Sequence, residues 1–198
     1  MRAFETIGSA TLIAYDDRPI LTNDAWINDS AFFGSWQRSH EIPPAQMAAI
    51  RAARFHWFSH GHPDHLNLAS LAELSGGQIL LSDHYGSRMA NDLAAMGLDV
   101  RVLPDHRWIS LSPAIRIYSI ANQNQDSVLL VDINGRLVIN LNDSPDYGAV
   151  FRIRRIARAF RPVYCLQLHC WGGTDMANLH DEAGAKLTSP HELSLIHI

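Results

Sequence analysis

Residues 59–67 read SHGHPDHLN, which sets His60, His62, Asp64 and His65 within one short turn. A strand running into a turn points alternate side chains the same way, so His60 and His62 can face one metal ion while Asp64 and His65 curl toward a second. Imidazole nitrogen and carboxylate oxygen suit zinc, with iron or manganese as substitutes. The plainer reading is a histidine cluster on a solvated loop, in a chain that holds 11 histidines. Composition accounts for the number of histidines but not for four ligand-type side chains at this spacing.

The flanks of the motif constrain the fold. Residues 54–59 (RFHWFS) form a short aromatic and apolar run that suits a buried strand, and residues 68–74 carry apolar side chains at helical spacing. The motif therefore stands at the carboxyl end of a strand entering a helix, where open α/β sheets gather their ligand-binding loops.

Further strands are expected at 6–15, 78–82, 115–120, 128–133, 137–140 and 163–168, from β-branched and apolar runs between turn residues. Asn134-Gly135 is a hairpin signal, because both central positions of a type I′ turn need positive φ. Helices are expected at 44–52, 84–96 and 147–160. In the second, Met89, Leu93 and Met96 repeat at helical spacing, Asp83 suits the start and Gly97 the stop. The order of elements points to an α/β protein and excludes an all-helical bundle.

Length and composition agree with one domain over residues 1–192. At 198 residues, 47% hydrophobic and 18% charged, the chain can bury a sizeable core. A net charge of −4 argues against a nucleic-acid partner. No stretch approaches the roughly 18 apolar residues of a membrane span, and residues 1–10 lack the apolar centre of a signal peptide. Cys165 and Cys170 are the only cysteines, so no disulfide framework is expected and a reducing cytoplasm is the default.

The pattern H-x-H-x-D-H after an apolar strand resembles the signature of the metallo-β-lactamase superfamily. Residues 5–13 (ETIGSATLI), 20–26 (ILTNDAW) and 31–36 (AFFGSW) are similar to the opening hairpins of one branch. That branch includes ascorbate-lactonase-like hydrolases and the domain attached to a Rieske centre in CMP-N-acetylneuraminate hydroxylase. Asp126-Ser127 before an apolar strand, and VINLNDSP around Asp143, look like the same branch. The resemblance implies an αββα four-layer sandwich (α/β, or α+β) and two divalent metal ions, zinc before iron or manganese. It places His60 and His62 on the first ion, Asp64 and His65 on the second, and Asp143 between them. An Asx-type turn before Ser144-Pro145 is the other reading of Asp143.

One departure stands out. The family's next histidine is expected near 121–125, where this chain reads ANQNQ. Asn122 or Gln123 offers only a neutral amide, a poor replacement for imidazole. His169, at the end of the strand VYCLQL, is the best spare histidine and a further candidate metal ligand. Cys165 and Cys170 flank it, but a single C-x4-C pair is not a zinc signature, and both are read as buried small hydrophobes. His84-Tyr85 are either substrate contacts or the first residues of a capped helix. The five arginines in 151–161 read as the solvated face of a helix whose apolar stripe is Ile153, Ala157 and Phe160, with an anion-binding patch as the other reading.

Residues 193–198 (LSLIHI) match the translation of a transposon-end sequencing adapter, and Lys186 is the sole lysine in an arginine-rich chain. We expect adapter read-through here, with the natural protein continuing past about His191 and its C-terminal part incomplete.

The expected function is a metal-dependent hydrolase that uses a metal-bound hydroxide on a lactone, amide or phosphoester, with Asp64 as the catalytic carboxylate. A small-molecule substrate is the expected partner, with neither nucleic acid nor membrane. Two other readings stand: a component of a Rieske-associated oxidoreductase, and a binding domain with a degraded metal site. The first needs iron–sulfur chemistry from elsewhere, since two Cys-His pairs are lacking.

Overall fold

The computed structural model describes residues 3–7, 11–28, 30–38, 40–74, 76–123, 125–144 and 148–167. Two mixed β-sheets face each other. The first runs in the order β1 (Phe4–Ile7), β2 (Thr11–Asp16), β3 (Arg18–Asn23), β4 (Phe55–Phe58), β5 (Gln78–Ser82) and β6 (Val100–Leu103). Its first three strands are antiparallel, and β3 through β6 are parallel. Parallel neighbours need a crossover, supplied here by α1 (Pro44–Ala52), α2 (Leu68–Glu73) and α3 (Arg88–Ala95). The second sheet contains β7 (Trp108–Ser110), β8 (Ile115–Ala121), β9 (Ser127–Ile133), β10 (Arg136–Asn142) and β11 (Val163–Gln167), in the order β11-β10-β9-β8-β7. Only β10 and β11 are parallel there, joined through α4 (Ala149–Ala157).

Alternation along the strands divides the core into three layers. Leu12, Leu21, Trp57 and Leu80 from the first sheet pack on Ile117, Leu129, Val131 and Val138 from the second. On the first sheet's outer face, Ile13, Phe58, Ile79 and Leu81 meet Ile50, Leu71 and Leu93 of the helices. Tyr118, Leu130 and Ile139 pack on Ile153 of α4 and on Phe160. The result is the αββα sandwich. Among the described residues, no helix is long and apolar enough to cross a membrane.

The hairpin expected at Asn134-Gly135 is present, with φ of 51° and 82°. Gly97, at φ 82°, ends α3 as expected. Other expectations are corrected. The strand expected over 6–15 is two strands, since Ile7 pairs antiparallel with Thr11. The helix expected from residue 84 begins at Arg88, because Gly86 and Ser87 hold left-handed φ of 81° and 49°; Asp83 does not cap it. Cys165 is exposed, not buried, on β11, which among the described residues lies at the edge of its sheet. Cys170, His169 and residues 193–198 lie outside the described residues.

Candidate metal centre

The parallel strands β3 and β4 end on one side of the sandwich, and β10 ends there too. Directly beyond them stand Asp24, the 59–67 turn and Asp143. His60, His65 and Asp143 come together so that one ligand atom from each lies within 4.8 Å of the others. His60 Nε2 is 3.8 Å from Asp143 Oδ2, and His65 Nε2 is 3.5 Å from Asp143 Oδ1. His62 adds Nδ1 at 2.7 Å from His60 Nε2, and Asp64 Oδ2 lies 3.5 Å from His65 Nε2. His60, Asp64 and His65 are buried while His62 is exposed, so His62 forms the solvent-side lip of the site.

Local structure aims these groups. Asn67 caps α2 by accepting from the Ser70 N–H at 2.9 Å, and its Nδ2 donates back to the Pro63 carbonyl at 3.3 Å, which closes the ligand turn onto the helix. Across the site, a register irregularity in β10 falls between Asn140 and Asn142, and Asn142 takes φ 43°. Asn142 Oδ1 then accepts from the N–H groups of Asp143 and Ser144 at 2.9 and 3.1 Å, while its Nδ2 donates to the Ser127 carbonyl at 2.8 Å. Asp143 is thereby fixed as the strand leaves the sheet.

The charges are strongly perturbed. Burial, helped by the nearby His65, pushes His60 down to about 4, so it is a neutral base at neutral pH. Burial also lowers His65, but Asp24 and Asp143 outweigh it and hold His65 well above the usual range. Burial raises Asp143, yet the His65 contact dominates and keeps its carboxyl well below the usual carboxylate range. Asp64 is raised, chiefly by burial.

These residues fit a cation. Asp64 Oδ1 is buried and has no hydrogen-bond partner, and the buried His65 Nε2 and Asp143 Oδ1 meet only in a long contact of 3.5 Å, an arrangement costly for polar atoms unless something positive completes it. Neutral imidazole and ionised carboxylate are ligands for zinc, iron or manganese.

Among the described residues of 121–125, none supplies a ligand of the expected kind. Asn122 Oδ1 accepts from the Asp126 N–H at 3.0 Å and its Nδ2 donates to Ser144 Oγ at 2.9 Å, so its amide holds the turn together; Gln123 is exposed. The carboxylate that does approach is Asp126, with Oδ1 at 3.6 Å from His60 Nδ1. His84 is buried beyond β5, and its neighbour Tyr85 is 95% exposed.

Three residues of the site were not among the candidate ligands: Asp24, Ser59 and Asp126, the last noted only as part of the family resemblance. Asp24 is fully buried at the end of β3, with its Oδ2 3.3 Å from His65 Nδ1. A signal existed for it, since ILTN runs straight into Asp24 as RFHWFS runs into His60, and a carboxylate that deep must be paired.

Fold and site together define the class: the chain has the metallo-β-lactamase fold, with a histidine–aspartate cluster at the sheet ends. No family model matches it. Over 129 residues, 61% of its length, it is 24% identical to the cytidine monophosphate-N-acetylneuraminic acid hydroxylase of Danio rerio and 26% identical to that of Mus musculus. The chain spans about a fifth of those relatives, 22% of each. Among solved structures it is similar to CmlA, a diiron β-hydroxylase from Streptomyces venezuelae, with TM-score 0.62, 16% identity, and coverage of 81% of this chain and 33% of that one. It is also similar to an isothiocyanate hydrolase from Delia radicum gut bacteria, with TM-score 0.57, 14% identity, and coverage of 98% and 78%. The metallo hydrolase Igni18 from Ignicoccus hospitalis follows at TM-score 0.52 and 12% identity, covering 77% and 65%.

Proposed function

We propose that the chain is a metal-dependent hydrolase acting on a small-molecule lactone, amide or phosphoester. The observation that carries this reading is the convergence of His60, His65 and Asp143, with one ligand atom from each within 4.8 Å of the others, beside the buried and unpartnered Asp64 Oδ1. In this reading His60 and His62 would hold one divalent ion and Asp64 and His65 a second, with Asp143 as a further ligand. Such ions, when bound, acidify water and polarise the substrate's carbonyl or phosphoryl oxygen.

The chain's own groups supply the rest. Asp64, buried beside His65, would orient the attacking water, take up its proton and pass it to the leaving group. His62 and the Phe32 ring, with centroids 6.2 Å apart, flank the open side, where a partly apolar substrate would enter. Burial of the remaining ligands excludes bulk water from the reacting atoms.

Metal content of the purified protein by mass spectrometry tests the reading. Near two equivalents of zinc, iron or manganese are expected, and no bound metal would overturn it. His62→Ala and Asp64→Ala are each expected to abolish metal uptake and turnover in a screen of lactones, amides and phosphoesters; unchanged metal content in either variant refutes that residue's assignment.

A second reading, a component of an oxidoreductase, is favoured by the two hydroxylase relatives and by CmlA. Bound iron together with oxygen consumption in the presence of a reductant, and no turnover in the hydrolase screen, would decide for it.

A further inference from the structure

Ser59 is wholly buried, and every polar group it has is engaged. Its N–H donates to Asp24 Oδ1 at 2.7 Å, and its carbonyl accepts from Ser127 Oγ at 2.6 Å, so the residue is pinned from β3 on one side and β9 on the other. Its hydroxyl oxygen has three neighbours: Asp24 Oδ1 at 3.1 Å, His60 Nδ1 at 2.9 Å and His65 Nδ1 at 3.2 Å.

A hydroxyl has one hydrogen to give and two lone pairs to offer. A carboxylate oxygen can only accept, so the Ser59 hydrogen goes to Asp24. Both lone pairs are then left for the histidines, so each imidazole donates from Nδ1, the His65 hydrogen being shared between Ser59 Oγ at 3.2 Å and Asp24 Oδ2 at 3.3 Å. That choice turns the Nε2 atoms of His60 and His65 away from Ser59 and toward Asp143, at 3.8 and 3.5 Å. The same assignment resolves the contact between His60 Nε2 and His62 Nδ1 at 2.7 Å, because His60 Nε2 is left as a bare lone pair.

We propose that Ser59 is a positioning residue whose single hydroxyl, anchored by Asp24, orients His60 and His65 together and so sets ligand geometry in both halves of the cation site. The proposal rests on the metal-binding reading above. It predicts coupled behaviour: one uncharged side chain that touches neither ion governs the affinity for both. Outer hydrogen-bond partners of metal-bound histidines commonly govern affinity by about ten- to a hundredfold.

The test uses the whole chain, zinc as the probe and two variants, Ser59→Ala and Ser59→Thr. Zinc affinity is measured by chelator competition, and the His60 tautomer by multiple-bond ¹H–¹⁵N correlation in the zinc-free protein. We expect His60 to carry its hydrogen on Nδ1 in the wild type. In Ser59→Ala both zinc equivalents should weaken about ten- to a hundredfold, and the His60 tautomer should become mixed. Ser59→Thr, which keeps the hydroxyl, should restore both. A folded Ser59→Ala protein with wild-type zinc affinity and tautomer would overturn the proposal. So would a wild-type His60 protonated on Nε2, a result available even if the alanine variant does not fold. A wild type that takes up no zinc, iron or manganese would overturn the metal reading instead; the tautomer comparison would then still decide the role of Ser59.

Discussion

His56 lies on the same strand as the ligand turn yet has none of its chemistry. It is fully buried, its Nδ1 is 2.7 Å from Thr22 Oγ1, and its Nε2 has no partner. Gly77 is packed so closely that a Cβ there would fall inside contact distance of the ring. Burial lowers His56 from 6.5 to about 4, so the native ring stays neutral where the unfolded one gains a proton. The unfolded state then binds more protons between about pH 6.5 and 4. Stability should be full above that window and should fall through it as pH drops, at up to ~1.4 kcal/mol per pH unit and on the order of 3 kcal/mol in all. Urea unfolding across this range, on the wild type and on His56→Gln, measures the effect. The variant's curve should be shallower by that amount, with the slope due to His60 remaining; parallel curves would contradict the assignment. Gly77→Ala should be destabilising by more than the usual surface change, about 2 kcal/mol or more, because the ring and the Ala53 carbonyl stand in the way.

Among the elements, α2 matters most to the site because it is short and must hold the ligand turn. Asn67 joins the helix start to Pro63 and to the Ser30 carbonyl, at 3.3 and 3.4 Å. Ser70 Oγ meanwhile accepts from the N–H groups of Ile27 and Asn28. Asn67→Ala should cost about 1–2 kcal/mol of stability, read from the urea midpoint, and should weaken zinc binding in a chelator competition. Loss of stability with unchanged zinc affinity would show that the cap serves the helix and not the ligands.

The same element shows what the sequence made legible. Apolar spacing in 68–74 and a ligand motif behind an aromatic strand are local signals, and local signals predicted β4, β5, α1 and the Asn134-Gly135 turn well. They failed where backbone conformation ruled. Gly86 and Ser87 delay α3 through left-handed φ, and β6 and β7 are short runs whose side chains carry no strong alternation. Asp24 escaped notice, and Asp126 counted only toward the family resemblance, because each meets the site through residues far away in sequence; Ser59 adjoins His60, but its anchor Asp24 is as distant. Nothing local to Asp24 announces that its carboxylate will meet His65.

At the scale of the whole molecule, the site draws on both sheets. Asp24 and the 59–67 turn extend the first sheet, while Asp126 and Asp143 extend the second. Bringing Asp24, Asp64, Asp126 and Asp143 to one end concentrates negative charge there. In the absence of an ion it is offset in part by His65, which Asp24 and Asp143 help keep protonated. A divalent ion would replace that proton and bind only the folded arrangement, since its ligands come from separate elements. Binding to the native state alone stabilises it by RT ln(1 + [L]/Kd), or ~2.7 kcal/mol at about a hundredfold excess over Kd. For a chain of this size that corresponds to a rise in melting temperature of roughly 5–10 °C. Thermal unfolding with added zinc, and then with excess chelator, should therefore show a reversible shift of this order in the wild type. Neither His62→Ala nor Asp143→Ala should shift, each having lost a group that the cation site needs. Equal zinc-dependent shifts in all three proteins would mean that the ion binds elsewhere on the chain, and the cluster at the sheet ends would lose its claim to hold it.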